Sequence, residues 1–172
     1  MTICHIRPYE PEDARELQAA AVESVEEIGA WMAWCHPGYS LEDAEQWILR
    51  QCELAQQGLA YEFSVRDQRG AFLGGCGVNQ VNLVNRLANL GYWVRTSAMG
   101  RGVASAAARM VAERVFRETD LVRLEIVCAV GNVRSQRVAV KVGAVREGVL
   151  RSRLVLPQGV SDAVMYSLVR DQ

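Results

Sequence analysis

The sequence lacks the features that mark membrane, metal-binding or disulfide-rich proteins. No apolar run approaches the roughly 18 residues that cross a bilayer, and the first residues form neither a basic patch nor an apolar signal core. Only 2 histidines occur, and the 5 cysteines are scattered without a Cys-x-x-Cys pair. We therefore expect a soluble cytoplasmic protein with no metal site, no disulfide framework and no membrane partner.

Proline and charged residues are also scarce enough to exclude disordered and collagen-like chains. Of the 172 residues, 4 are proline, 23% are charged and 50% are hydrophobic. This length and composition predict a single domain over residues 1–172. Of the 19 basic residues only Lys141 is a lysine, and no basic run or aromatic-basic alternation occurs. A nucleic-acid partner is therefore not expected.

The charges are unevenly distributed along the chain. Residues 1–62 contain 12 acids and 3 bases, whereas residues 63–172 contain 8 acids and 16 bases. Two differently solvated faces would explain this division. A polyanionic ligand on the C-terminal part and a cationic ligand beside the N-terminal part would explain it equally well. Charge alone does not choose between these interpretations.

The hydrophobic pattern predicts a mixed α and β chain in which the strands come in runs. Strands are predicted over about 3–7, 61–66, 72–81, 90–94, 124–130, 145–156 and 160–169, and helices over about 11–27, 40–58, 102–119 and 132–142. This order favours an α+β fold with a mixed sheet that is covered on both faces.

One segment joins a predicted strand to a long helix and contains Gly100-Arg101-Gly102. A helix N-terminus leaves backbone N–H groups unpaired and carries partial positive charge, and glycine lets a ligand approach that backbone closely. The segment therefore predicts a pyrophosphate site, although a tight turn without a ligand is the alternative. No Gly-Lys-Ser/Thr follows, so it is not a P-loop, and Ser105 occupies the third glycine position of the dinucleotide fingerprint.

A second helix start follows the next predicted strand. Asn132 could cap this helix, either as its only role or beside a ligand. Ser135 lies one turn further and would present its hydroxyl to the same cleft, or only to solvent. Cys128, in the strand before, is predicted to be a core residue rather than an acyl-carrying nucleophile.

Together these motifs resemble those of the GNAT superfamily of acetyl-CoA-dependent N-acetyltransferases, and most of all its ribosomal-protein N-terminal acetyltransferase branch. The resemblance extends over nearly the whole chain and implies a central mixed, mostly antiparallel sheet of about seven strands flanked by four helices. The segments that carry it are Trp31–His36, Leu90–Val94, Gly100–Ala104, Asn132-x-x-Ser135, Lys141–Ala144 and Glu147-Gly148, with Asp162 and Tyr166 near the end.

The resemblance implies acetyl-CoA as cosubstrate. The glycine loop would hold the pyrophosphate, and a splay between the strands at 92–94 and 124–130 would make room for the thioester. Asn132 would contact the pantetheine chain, and Ser135 would serve as a general acid for the leaving thiolate. The residues implied in CoA binding are Trp93, Val94, Met99, Gly100, Arg101, Gly102, Val103, Ala104, Asn132 and Ser135.

The implied reaction is direct attack of a primary amine on the thioester, with the Val94 N–H as a candidate oxyanion donor. A general base would help, since an α-amine has a pKa of about 8. Here the sequence departs from the family, because Asn89 stands where relatives carry a carboxylate, and Arg153-Leu154 where a second one is expected. Glu125, Glu62, His36 and water remain candidates for the base.

The acceptor is implied only as a class. Trp31, Trp34, His36 and Tyr39 would shape its pocket, although core packing explains the aromatic residues too. A protein N-terminus, a polyamine, an aminoglycoside or another small amine would fit, and a homodimer follows by analogy. Two alternatives stay open: a non-catalytic acyl-CoA-binding sensor or regulatory domain, and a nucleotide-binding α/β protein.

Overall fold

The computed structural model describes residues 4–170, which form one seven-stranded sheet with helices on both faces. The strands are β1 (His5–Pro8), β2 (Tyr61–Arg66), β3 (Phe72–Asn82), β4 (Leu87–Val94), β5 (Arg123–Ala129), β6 (Val145–Leu156) and β7 (Gly159–Val169). The helices are α1 (Ala14–Glu23), α2 (Val25–Ile28), α3 (Leu41–Gln56), α4 (Val103–Glu118) and α5 (Val133–Lys141), with 3-10 turns at Pro11–Asp13 and Thr96–Ala98. The predicted α+β class is confirmed. The predicted strand residue Ile3 lies outside the described range.

The sheet order is β1-β2-β3-β4-β5-β7-β6, and every neighbouring pair is antiparallel except β4 and β5. Those two strands are parallel, and they pair only from Leu87 with Arg123 to Asn89 with Glu125. Beyond these three pairs β4 continues to Val94 and β5 to Ala129. The strands therefore diverge, and the predicted splay is confirmed. We call this opening the fork.

Alternating strand residues serve two cores, one on each face of the sheet. Helices α4 and α5 cover one face, where Leu124, Ile126 and Cys128 of β5 pack with apolar residues of both helices. Helices α1 and α3 cover the other face at the β1–β4 end. No helix within residues 4–170 is long and apolar enough to cross a membrane.

The helix predicted over 11–27 is interrupted, so the described chain has five helices rather than four. Residue Ser24 leaves helical geometry at φ −107° and ψ 8°, and its hydroxyl donates to the carbonyl of Ala20 at 2.6 Å. Such bonding back to the preceding turn competes with the helix and bends the chain. A smaller difference is that β4 begins at Leu87 rather than at 90.

A buried ion-pair cluster attaches the first turn of the chain to the sheet. Asp13 is only 2% exposed, and its carboxylate accepts hydrogen bonds from Arg7 of β1 at 2.6 Å and from Arg66 of β2 at 2.6 Å. Burial by itself raises the pKa of Asp13, but the bonds from Arg7 and the Glu10 amide and the charge of Arg66 outweigh it and lower the pKa.

We expect Asp13→Ala to lower the free energy of unfolding by about 3–5 kcal/mol, because it leaves two arginines without their buried partner. Urea unfolding followed by circular dichroism measures this change. The control is Glu12→Ala, which changes an exposed residue of the same turn. Because folding lowers the pKa of Asp13, its contribution to the free energy of unfolding is complete above the unfolded pKa of about 3.9. This contribution is lost as the pH falls through the folded pKa. An equal loss at pH 3 and pH 7 would contradict this account.

Candidate active site

The loop before α4 leaves a run of backbone donors unpaired. Gly100 and Gly102 adopt φ values of +75° and +80°, a left-handed geometry that glycine allows. The first amide of this helix to bond backwards is that of Ala106, which donates to the carbonyl of Gly102 at 3.1 Å. Within residues 4–170, the six amides of 100–105 meet no backbone or side-chain acceptor. Unpaired amides at a helix start are suited to bind an anion, and the anion site predicted from the glycines stays a prediction.

The loop is held in place from α1. The carboxylate of Glu23 pairs with Arg95 and accepts the amide of Ser97 at 2.8 Å, while the hydroxyl of Ser24 accepts the amide of Thr96 at 3.1 Å. The hydrogen bond from Arg95 is the main cause that lowers the pKa of Glu23 to about 2. The interruption between α1 and α2 thus supplies the groups that fix the approach to Gly100.

A cleft of about 930 Å³ opens beside these amides, between the starts of α4 and α5, the end of β4 and the α2 segment. Most of the implied CoA-binding residues line it: Trp93, Val94, Met99, Gly100, Gly102, Val103, Ala104, Asn132 and Ser135. Arg101 is exposed and lies outside the lining. The α2 segment contributes two acids that sequence reasoning missed, Glu26 and Glu27, and Glu27 pairs with Arg134 of α5 at 2.8 Å.

Asn132 caps α5, as one interpretation of the sequence predicted, by accepting the amide of Ser135 at 3.0 Å. The hydroxyl of Ser135 lies 3.1 Å from the Tyr92 hydroxyl of β4 and 3.1 Å from the Cys128 sulfur of β5. These three side chains therefore meet at the fork. Burial raises the pKa of Tyr92 well above its usual range, so the phenol stays protonated at neutral pH.

Tyr92 was missed as a site residue, although an alternation signal was available. It lies two residues after buried Leu90, on the face of β4 that packs against α4. A polar tip on a core-facing strand position calls for a hydrogen-bond partner. Cys128 is buried, and burial raises the pKa of its thiol, which disfavours a nucleophilic thiolate.

The predicted acceptor residues are not brought together in the cleft. Trp31 lines it and packs over Gly131. Trp34 packs edge-on against Trp93, with ring centroids 5.2 Å apart, and against Tyr39 at 5.6 Å. Tyr39 is buried, and His36 is exposed away from the cleft lining. In this arrangement Trp34 and Tyr39 support Trp93.

The two candidate carboxylates differ in their surroundings. Glu125 of β5 accepts a hydrogen bond from Arg123 at 2.9 Å, as expected of a paired structural carboxylate. Glu62 of β2 accepts one from the side-chain amide of Asn79 at 3.0 Å, and Asn79 in turn accepts one from Asn89 at 3.0 Å. Burial raises the pKa of Glu62 to about 7, against the lowering effect of the Asn79 bond. This raised pKa suits Glu62 to exchange a proton near neutral pH.

Comparison with known proteins matches the family model of the acetyltransferase (GNAT) domain to residues 4–145. YdaF of Bacillus subtilis, a protein named for ribosomal N-acetyltransferase activity, is 29% identical over 172 residues, covering 96% of this chain and 90% of YdaF. The ribosomal-protein-serine acetyltransferase of Escherichia coli is 28% identical over 132 residues, covering 77% and 73%. RimL, a ribosomal L7/L12 α-N-protein acetyltransferase solved with coenzyme A, has a TM-score of 0.92 at 23% identity, covers 99% and 96%, and shares the fold.

We expect Gly100→Val to weaken CoA binding at least tenfold. A valine at φ +75° is strained, and since no protein atom lies within 4 Å of an added Cβ, its side chain would occupy space open to a ligand. Isothermal titration with CoA measures the effect. The control is Gly58→Val, in the turn that follows α3. It imposes the same strain at φ +72° and should leave CoA affinity unchanged. Unchanged affinity in a folded Gly100→Val protein would remove the loop from the binding site.

Proposed function

We propose that this chain, which belongs to the GNAT acetyltransferase family, moves an acetyl group from acetyl-CoA to the α-amine of a protein N-terminus. One observation carries the proposal: six unpaired amides, 100–105, lie beside the fork between β4 and β5. The amides suit a diphosphate, and the fork suits an extended chain that ends in a thioester.

The residues present fit CoA by chemistry and by space. Unpaired N–H groups at the start of a 16-residue helix attract phosphate oxygens through hydrogen bonds and the helix dipole. The cleft of about 930 Å³ lies within the range of sites for large ligands. Arg134 and Lys141 bring positive charge to α5, in the basic part of the sequence. When bound, acetyl-CoA would supply the activated acetyl group.

The chain's own part in the reaction is to position the reactants and to move protons. The backbone of 92–94 runs unpaired with β5 and can align the reacting end of the cosubstrate. The hydroxyls of Ser135 and Tyr92 lie 3.1 Å apart at the fork, where the leaving sulfur needs a proton. The Tyr92 phenol, which its raised pKa keeps protonated, donates to the backbone carbonyl of Ser135 at 2.9 Å, so its oxygen can accept the Ser135 hydroxyl and hold this proposed proton donor in place.

The names of the two relatives described above support a protein N-terminus as the acceptor, since they refer to ribosomal or ribosomal-protein acetylation. The acid Glu26 at the cleft favours approach of a cationic amine, whereas the charge of Glu27 is compensated by Arg134. A polyamine or another small amine would satisfy the same charge. A cytoplasmic location, a single domain over the full chain and a homodimer remain parts of the proposal.

The test is acetyl transfer from acetyl-CoA to a panel of peptides with free N-termini, blocked N-termini and small polyamines. We expect transfer to the free α-amine only, detected as one acetyl group by mass spectrometry. CoA binding with no transfer to any amine would instead support the sensor alternative. Preferential transfer to a polyamine would contradict the assignment of the acceptor.

We expect Ser135→Ala to lower kcat by roughly 10²-fold, the size typical of a lost general acid, with little change in CoA affinity. Steady-state kinetics and CoA titration measure the two quantities. Ser161→Ala on β7, outside the cleft, is the control. An unchanged kcat in a folded Ser135→Ala protein would show that Ser135 does not protonate the leaving thiolate.

A further inference from the structure

A row of residues without bulky side chains crosses the sheet on the face opposite α4 and α5. Glu62 of β2 pairs with Gly77 of β3, and Gly77 pairs with Gly91 of β4. Two positions before Gly91, Asn89 makes the last pair with β5, so the row ends beside the fork. Strand register thus places a carboxylate at one end of a glycine floor and the fork at the other.

Gly77 leaves no space for a side chain. A Cβ there would overlap the Glu62 carboxylate and would come within 2.6 Å of the backbone oxygen of Tyr61, so only glycine lets Glu62 lie over this position. At Gly91 a Cβ would have only the side-chain nitrogens of Asn89 at 3.7 Å and Asn79 at 4.0 Å within reach. The floor beyond the carboxylate is therefore open, with room for a small polar group.

A chain of two amides orients the polar groups around this opening. An ionised Glu62 only accepts hydrogen bonds, so Asn79 must turn its Nδ2 towards it, at 3.0 Å. The Oδ1 of Asn79 then accepts the Nδ2 of Asn89, at 3.0 Å. This order leaves the Oδ1 of Asn89 as an acceptor where the fork begins. The carboxylate strengthens each acceptor along the chain by polarisation.

Within residues 4–170 no cation pairs with Glu62. The titratable groups that feel its charge are the Tyr9 phenol before α1 and the Cys76 thiol of β3. Burial raises the pKa of both groups well above their usual range, so neither ionises near neutral pH. A carboxylate without a cation, beside an open floor, is suited to receive a proton rather than to hold the fold together.

We infer that Glu62 accepts the proton of the acceptor amine through one water over Gly91, an inference that rests on the acetyl transfer proposed above. Strands lie about 4.8 Å apart, so the carboxylate over Gly77 is one strand spacing from Gly91. Two hydrogen bonds through a single water span that distance. Glu62 would thereby take the role of the carboxylate that the family resemblance expects at Asn89.

In the inferred reaction, each bond that forms is matched by one that breaks, and each proton has a named acceptor. A protonated amine gives a proton to the water, which passes one to Glu62, and the exposed lone pair of nitrogen bonds to the thioester carbonyl carbon. The carbon–sulfur bond breaks with its electrons on sulfur, which takes the Ser135 proton. The second proton shed by nitrogen restores Ser135, and Glu62 returns its proton to solvent.

Glu62→Gln tests the inference, because glutamine keeps the shape and the Asn79 bond but cannot take the proton. We expect kcat/KM of the wild type to rise through pH about 7. The variant should lose this inflection and fall by roughly 10²-fold or more at pH 8, with CoA affinity unchanged. Carbon-13 NMR of the Glu62 carboxyl in the free protein should titrate near the same pH. Glu45→Gln, exposed on α3, is the matched control.

Two further variants make the assignment specific. Asn79→Ala removes the bond that lowers the pKa of Glu62, so the inflection should move to higher pH. Gly91→Ala adds a methyl group that fits in van der Waals contact with Asn89 and fills the place of the water, so it should raise KM for the amine while CoA affinity stays unchanged.

The inference and the proposed function fail in different ways. An active wild type whose inflection survives in Glu62→Gln overturns the inference alone, and so does an inflection lost in Glu125→Gln instead. Failure of the wild type to acetylate any amine overturns the proposed function. Titration of the Glu62 carboxyl near its ordinary pKa of about 4.3 would also contradict the inference.

Discussion

The unpaired amides at the start of α4 are the feature on which the rest of the site depends. In the described part of the chain, residues 4–170, six consecutive amides have no protein acceptor, so a ligand or water must supply one. The fold keeps these amides without protein partners, because Glu23 and Ser24 at the end of α1 hold the turn that precedes them in place. In the proposed complex a diphosphate would accept from several of these amides at once, and this pairing would fix where the rest of the ligand lies.

The fork divides the chemistry between the two faces of the sheet. Beyond their three parallel pairs, β4 and β5 separate, and their backbones no longer pair with each other. On the α4 and α5 face, the hydroxyls of Ser135 and Tyr92 meet beside the fork, where the proposed mechanism has the leaving sulfur take a proton. On the opposite face lie the glycines and the Glu62 carboxylate, which is the proposed proton acceptor. The proposed proton donor and the proposed proton acceptor are thus separated by the thickness of one sheet.

The sequence predicted the features that depend on local pattern. Strand alternation, the glycine loop and the cap at Asn132 are local signals, and the structure has each of them near its predicted place. Contacts between distant segments were beyond such signals. The bond of Ser24 back to Ala20 broke a helix that periodicity extends, and the packing of Trp34 on Trp93 pairs residues far apart in the chain. The relay from Glu62 likewise depends on strand register, which no spacing along the sequence contains.

A crystal structure with CoA bound would test the central claim most directly. The account predicts phosphate oxygens about 2.7–3.2 Å from the backbone nitrogens of several residues in 100–105, with the thiol end entering the fork. A diphosphate bound elsewhere, with these amides still without acceptors, would contradict it.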